Sequence, residues 1–285
     1  MKQERTVKSW MIQLFSMAAL MLLFIFLGQK SLIVFADKSL ENNQPTAIQT
    51  PTIMVPGTNG TVDRFDGLIK ALKVNEQSEV LKVTVATDGT ASFSGKLSPS
   101  SEHPIIVVAF DDSSDDTLAI QGKWYQQALE AIQKKYTFKT YNYLGHSNGG
   151  LVITSYLENF RLADDPELNK LITLGTPYNG TSSKENDAVT NFSEVKQVSQ
   201  SLTSYVQKRH ELPSTIKMLN IAGEIENDAT DGTVPVQSVF SGRMIYQESI
   251  TDYQELLIQG EKTKHSELVE NTEVIQQLRS FFWEK

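Results

Sequence analysis

Tyr143–Gly150 has the sequence YLGHSNGG. It contains the pattern Gly-x-Ser-x-Gly, with Ser147 at the centre. The run Thr140–Leu144 before it predicts a β-strand, and Leu151–Phe160 after it predicts a helix. A serine held between a strand and a helix and flanked by glycines is typical of a sharp turn that presents its hydroxyl as a nucleophile.

The glycines of this pattern have a physical reason. Because Gly145 and Gly149 lack a Cβ atom, strand and helix can approach each other without a clash. The serine is then strained above the sheet, and the N-terminus of the following helix favours negative charge beside its oxygen. The alternative is a glycine-rich turn in which Ser147 is incidental.

From Thr52 onward, short β-like runs alternate with longer helical ones. This order predicts an α/β fold, with a mainly parallel central sheet flanked by helices on both faces. Asp88-Gly89 predicts a hairpin turn. The predicted strands are Ile53–Val55, Val80–Thr87, Ala91–Lys96, Ile105–Phe110, Thr140–Leu144, Leu171–Leu174, Met218–Ala222 and Tyr253–Ile258. The predicted helices are Leu118–Lys134, Leu151–Phe160 and about Leu268–Phe282.

A serine hydroxyl needs a general base, and the chain has four histidines. His146 neighbours the serine on the turn and cannot fold back onto its oxygen. His103 precedes an early strand, and His210 lies in a polar insertion. His265 follows the last predicted strand, where the chain order serine, acid, histidine places the base. His265 is therefore the predicted base, and an exposed loop histidine is the alternative.

The acid that orients the base should follow a late strand and precede His265. Four carboxylates follow the strand Met218–Ala222, namely Glu224, Glu226, Asp228 and Asp231. Asp231 is favoured because the Gly-Thr-Val-Pro sequence after it predicts a compact turn that would fix a carboxylate. Asp228 is the first alternative, and a solvated loop carboxylate is the other interpretation of each.

An oxyanion site needs two backbone donors. One predicted donor is the amide of Asn148, directly after the serine. The other should come from the loop after the first core strand, Val55–Gly60, where Thr58 is preferred and Asn59 is the fallback. The alternative for this loop is an ordinary glycine turn.

Composition limits the classes of function. The chain has 285 residues, 40% of them hydrophobic, and a net charge of −8, so a sizeable core is expected and a nucleic-acid partner is not. The lack of cysteine excludes thiol catalysis, cysteine-based zinc sites and disulfides. The acidic run Asp111–Asp116 fails the calcium-loop pattern, and a solvated loop that caps the next helix is predicted instead. No metal or other cofactor is expected.

The N-terminal part of the chain differs from the rest. Lys2, Arg5 and Lys8 precede an apolar run, Met11–Leu27, which predicts a signal peptide or an uncleaved signal anchor over residues 1–36. A cleaved signal is favoured, and a buried core helix is the third interpretation. Residues 37–50 are predicted to be a linker and residues 51–285 the folded domain. The domain is expected to be extracellular or at the cell surface, with membrane contact only through an uncleaved N-terminal segment.

Five segments together resemble a known family: Val55–Gly60, Gly145–Gly150, Leu174–Gly180, Asp231–Pro235 and His265–Leu268. They are similar to a lipase-like family of α/β hydrolases, found mainly in Gram-positive bacteria and called cell-surface hydrolases of unknown function. The resemblance spans about Thr52 to Lys285. It implies the α/β-hydrolase fold and a triad of Ser147, Asp231 and His265.

The chain departs from many relatives at two positions. Pro56 stands where they carry histidine, and Asn148 stands where methionine is common after the serine. Since both oxyanion donors are backbone groups, neither change removes a donor, but both can reshape the acyl pocket.

These residues predict a serine hydrolase, of carboxylesterase or lipase-like type, that cleaves a small-molecule ester through an acyl-enzyme intermediate. A short polar insertion, about Ser182–Pro213, lies where such folds often carry a lid. Its large apolar residues are few, which favours a short-acyl or soluble ester over a long-chain triglyceride. They are Val189, Phe192, Val195, Val198, Leu202 and Tyr205. Peptide or amide substrates, an acyltransferase and a non-catalytic surface binding module stay open as alternatives.

Overall fold

The computed structural model describes residues 44–72, 79–186, 192 and 195–284. The predicted signal segment, residues 1–36, and most of the predicted linker lie outside this part. Within it, no helix combines the length and the apolar character that crossing a bilayer requires.

A mainly parallel sheet of eight strands forms the centre, in the order β10-β9-β8-β7-β2-β5-β3-β4. The last strand in this order, β4, runs antiparallel to its neighbour β3. The strands are β1 (Thr46–Ala47), β2 (Thr52–Val55), β3 (Val80–Val85), β4 (Ala91–Gly95), β5 (Ile105–Phe110), β6 (Tyr136–Thr137), β7 (Thr140–His146), β8 (Glu167–Leu174), β9 (Lys217–Glu224) and β10 (Asp252–Gln259). The prediction of a mainly parallel α/β sheet is confirmed.

Helices cover both faces of this sheet. They are α1 (Asp66–Leu72), α2 (Leu118–Gln133), α3 (Asn148–Asn159), α4 (Gln200–Lys208), α5 (Val236–Phe240), α6 (Arg243–Tyr246) and α7 (Thr272–Trp283). The side chains of strand β2 are all apolar or small, and its contacts give the reason. Ile53 and Val55 pack with α2 and α3 on one face, whereas Met54 packs with α1 and α7 on the other. A strand buried on both faces has no polar side.

The structure differs from the sequence prediction at both ends of the fold. Thr46–Ala47 falls in the predicted linker, yet it pairs in parallel with β6. The backbone N–H groups of Thr46 and Ile48 donate to carbonyl oxygens beside and within β6. At the other end, α7 begins at Thr272 rather than Leu268 because the Asn271 side chain accepts hydrogen bonds from two backbone N–H groups and starts the helix there.

The polar insertion is docked onto the domain in its described part. Helix α4 lies within it, and Leu202 of this helix is fully buried in the core cluster that also contains α2 and α3. Ser199 caps the helix by accepting a hydrogen bond from the Leu202 N–H. The buried side chain of Asn179 bonds backbone groups of Gln197 and Ser199 and joins the insertion to the chain before it.

At Gly149, α3 lies directly against β2. A Cβ atom added there would lie 2.1 Å from the carbonyl oxygen of Val55. We expect Gly149→Ala to lower the free energy of unfolding by about 1–3 kcal/mol, since the packed backbone of β2 cannot move away freely. Urea unfolding of the purified protein measures this change.

Gly67 provides the matched control for this substitution. It lies in α1, and a Cβ atom there meets nothing within 4 Å, so Gly67→Ala should leave stability unchanged or raise it by up to ~1 kcal/mol. Equal unfolding midpoints for the two variants would contradict the close approach of α3 to β2.

Candidate active site

Ser147 lies between β7 and α3 with a backbone that few residues other than glycine adopt. Its φ is 56° and its ψ is −130°, a conformation that costs about 1–3 kcal/mol and is seen mainly where function requires it. Two contacts with residues at the end of β8 and just after it hold it there. The Ser147 N–H donates to the Leu174 carbonyl oxygen at 2.9 Å, and the Thr176 hydroxyl donates to the Ser147 carbonyl oxygen at 3.0 Å.

His265 lies after β10, and its imidazole joins two of the predicted site residues. Its Nε2 atom is 2.9 Å from the Ser147 Oγ, and its Nδ1 atom is 2.6 Å from the Asp231 Oδ2. The backbone N–H of His265 also donates to the Asp231 carbonyl oxygen at 2.9 Å. The structure therefore brings together the serine, histidine and aspartate that the sequence analysis selected.

Asp231 is almost completely buried, with 1% of its surface exposed. Its Oδ1 atom accepts hydrogen bonds from the backbone N–H groups of Thr233 and Val234, at 2.9 and 2.7 Å. The compact turn that follows it therefore fixes the carboxylate and leaves Oδ2 for the imidazole. Asp228, the alternative acid, is exposed, and the structure places Asp231 rather than Asp228 against His265.

His146 holds the histidine loop from the other side. Its Nε2 atom is 2.9 Å from the His265 carbonyl oxygen, so Nε2 carries the proton and donates it. The side chain is buried. Burial, and next the charge of a protonated His265, lower the pKa of His146 to about 3. His146 is thus a neutral hydrogen-bond donor that positions the loop.

Both predicted oxyanion donors belong to segments next to the serine. No acceptor among the described residues engages the backbone N–H of Thr58 or that of Asn148. Gly57 lies directly against the serine, since an added Cβ atom would be 2.9 Å from the Ser147 Oγ and 3.0 Å from the Asn148 nitrogen. The N–H of Asn59, the fallback donor, is already bonded to the Ser113 carbonyl oxygen, so the geometry favours Thr58.

Comparison with known proteins gives the family. The family model described as "Alpha/beta hydrolase of unknown function (DUF915)" matches residues 39–285. The chain belongs to this family. No curated protein matches it.

Two solved structures are similar to this DUF915 chain. One is the product of gene lin2722 from Listeria innocua, with 29% identity and a TM-score of 0.77 over 83% of this chain and 95% of that one. The other is described as a "putative cell surface hydrolase" from Lactobacillus plantarum WCFS1, with 32% identity and a TM-score of 0.69 over 82% of this chain and 91% of that one. The predicted family and the α/β-hydrolase fold are confirmed.

The serine of this DUF915 chain opens into a cleft of about 630 Å³. Among the described residues that line it, most side chains are polar or charged, and Pro177 and Val234 are the apolar exceptions. No described residue of the insertion at residues 182–213 lines this cleft. In the part of the chain that the structure describes, no group of histidine and carboxylate side chains is arranged to hold a metal ion.

Sequence reasoning missed two charged residues of the cleft. Arg64 lines it and donates from Nη2 to the Ser266 carbonyl oxygen at 2.6 Å, beside His265. Asp115 belongs to the acidic run that was predicted to be a solvated helix-capping loop, but its carboxylate bonds the side chains of Thr58 and Asn148. One signal was available for Asp115. It follows β5, the neighbour of β2, at the carboxyl edge of the sheet where ligands bind in this class of fold.

The low pKa of His146 predicts a specific dependence of stability on pH. An unfolded histidine binds a proton near pH 6.5, whereas His146 in the folded DUF915 domain stays neutral down to about pH 3. Between these values the unfolded state binds more protons, so the contribution of His146 to stability falls as the pH is lowered from 6.5. This contribution to the free energy of unfolding changes by at most ~1.4 kcal/mol per pH unit.

The His146→Gln variant tests this dependence, since glutamine can donate a hydrogen bond but does not titrate. Urea unfolding measures the stability of both proteins at pH 7 and pH 5. The free energy of unfolding should fall less between these pH values in the variant than in the unchanged protein. Equal losses in the two proteins would show that His146 is not held neutral.

Proposed function

We propose that this DUF915 protein is a serine hydrolase that cleaves carboxylic esters through a covalent acyl-enzyme intermediate. One observation carries the proposal. The imidazole of His265 lies within hydrogen-bond distance of the Ser147 hydroxyl on one side and of the buried Asp231 carboxylate on the other. A hydroxyl so placed can lose its proton to the imidazole as it attacks.

In the first half of the proposed reaction, the Ser147 Oγ attacks the ester carbonyl carbon while its proton moves to His265 Nε2. The bond between the carbonyl carbon and the leaving oxygen then breaks, and His265 returns the proton to the departing alcohol. Asp231 keeps the proton of the ring on Nδ1 and stabilises the imidazolium. In the second half, water takes the place of the alcohol, attacks the acyl-enzyme and releases the acid.

The negative oxygen that forms at each attack needs donors that are in place beforehand. We assign this role to the backbone N–H groups of Asn148 and Thr58. The first residue of α3 is Asn148, so the positive end of that helix adds a favourable field at the same point. The close contact of Gly57 with Ser147 supports this assignment, because it brings the Thr58 loop beside the reacting oxygen.

The proposed substrate is a short-acyl or otherwise soluble ester. A long acyl chain needs a continuous apolar wall, but the cleft has Pro177 and Val234 as its apolar side chains. The apolar residues of the insertion also support this choice, because Leu202 is buried in the core and Phe192 packs against Phe240.

We also propose that the enzyme works outside the cytoplasm, at the cell surface. The charged and apolar N-terminal sequence supports this location. So does the similarity to the Lactobacillus plantarum protein described as a "putative cell surface hydrolase".

Ser147→Ala should abolish turnover of p-nitrophenyl acetate, with a loss of at least about 1,000-fold in kcat, since no other group can form the acyl-enzyme. The control is Ser204→Ala, which removes an exposed hydroxyl of α4 and should keep full activity. The free energies of unfolding of all three proteins should agree to within about 1 kcal/mol.

Undiminished turnover by the Ser147→Ala variant would reject the proposed function. The same assay with p-nitrophenyl esters of increasing chain length tests the substrate class. Faster turnover of the laurate than of the acetate would reject the proposed preference for short acyl groups.

A further inference from the structure

Three polar side chains beside Ser147 form a closed ring of hydrogen bonds. The Thr58 hydroxyl donates to the Asp115 Oδ1 at 2.7 Å. The Asn148 side-chain amide nitrogen donates to the same carboxylate oxygen at 2.8 Å and to the Thr58 hydroxyl oxygen at 2.7 Å. One oxygen of Asp115 accepts two of the three bonds.

The ring connects three separate segments of the fold. Thr58 lies in the loop after β2, Asn148 is the first residue of α3, and Asp115 lies in the 3₁₀ turn after β5. Two of these residues, Thr58 and Asn148, carry the backbone N–H groups that we assign to the oxyanion. The same two side chains meet at the Asp115 carboxylate.

The Thr58 loop has few other attachments on this side. The Asn59 N–H donates to the Ser113 carbonyl oxygen at 3.2 Å, and the Ser113 hydroxyl donates to the Gly60 carbonyl oxygen at 3.4 Å. Both bonds are longer than those to Asp115, and both join neutral groups. Hydrogen bonds to a carboxylate are in general shorter and stronger than neutral ones. Asp115 is exposed to solvent, but its bonds are the shortest of these contacts.

In the described part of the chain, the backbone of Thr58–Gly60 donates two hydrogen bonds, from Asn59 to Ser113 and from Gly60 to Gly57, and neither involves Thr58. Thr58 and Asn59 are exposed, and among the described residues no acceptor engages the Thr58 N–H. Asn148, in contrast, is fixed by α3 and is buried. The ring therefore ties the exposed Thr58 to the buried Asn148.

We propose that Asp115 is a positioning residue of the oxyanion site, which holds the Thr58 and Asn148 amides in register through their side chains. The proposal rests on the proposed function of Ser147 as nucleophile. Asp115 sets the distance between the two donors. Because the oxyanion exists only in the transition state, Asp115 stabilises that state more than it strengthens the binding of the ester.

Asp115→Ala is the first test variant. We expect kcat for p-nitrophenyl acetate to fall by about 10- to 100-fold, since loss of a donor or a displacement of about 1 Å has effects of this order. KM should change little. The pH dependence of kcat should also keep its shape, because His265 and Asp231 are untouched.

Asp115→Asn and Asp116→Ala are the controls. The asparagine keeps an oxygen that can accept both hydrogen bonds, so this variant should recover most of the lost kcat. Asp116, the next residue, is exposed and has no hydrogen bond to Thr58 or Asn148, so Asp116→Ala should behave like the unchanged protein.

A double-mutant cycle with Thr58→Val shows whether Asp115 acts through the Thr58 side chain. Valine keeps the shape of threonine but lacks the hydroxyl. If the ring positions the loop, Thr58→Val alone should lower kcat. Asp115→Ala should then lower kcat much less in the Thr58→Val protein than in the unchanged protein.

Ser147→Ala, run in the same assay, separates the failure of this proposal from failure of the proposed function. Full turnover by Ser147→Ala would reject the function and this inference together. An inactive Ser147→Ala with an unchanged Asp115→Ala would reject the positioning role alone. The role is also rejected if Asp115→Asn is as impaired as Asp115→Ala and both raise KM for a cationic ester, since the carboxylate would then bind a substrate cation.

Discussion

The hydrogen bond between His265 Nε2 and Ser147 Oγ is the contact on which the proposed chemistry depends. It joins residues 118 positions apart in the chain. They can meet because β7 and β10 run in the same direction within one sheet, so the loops that follow them emerge at the same edge. Asp231, after β9, and Thr58, after β2, reach that edge for the same reason. The parallel sheet thus supplies the approximate meeting point, and the loops supply the final positions.

Two features of the site cost folding free energy. Ser147 keeps a left-handed backbone conformation, and His146 is buried as a neutral imidazole whose pKa is lowered to about 3. In return, the backbone of His265 is bonded at both its N–H and its carbonyl oxygen. Local strain and desolvation near a reacting group are sustained only when the surrounding packing determines the geometry. Here the close contact of α3 with β2 provides that packing.

The sequence predicted what depends on local pattern or on chain order. The strand-turn-helix around Ser147, the buried strand Ile105–Phe110 and the order of serine, aspartate and histidine are of this kind. The pairing of β1 with β6 could not be predicted, because each strand has two residues and is too short to show a periodic pattern. The helix start at Asn271 was missed because Leu268 fits the apolar spacing of the helix, although asparagine is a common N-cap residue. Asp115 was assigned to a solvated loop because its partners, Thr58 and Asn148, lie far away in the chain and meet it only in the folded domain.

The rate at which a fluorophosphonate probe labels Ser147 tests the central claim most directly, because the probe reacts with an activated serine and needs no knowledge of the substrate. Mass spectrometry should locate the label on Ser147 in the unchanged protein. The His265→Ala variant, folded to the same extent, should be labelled at least about 100-fold more slowly, since a general base contributes 10²–10⁴-fold. Equal labelling rates in the two proteins would contradict the account, because the imidazole would then not activate the serine.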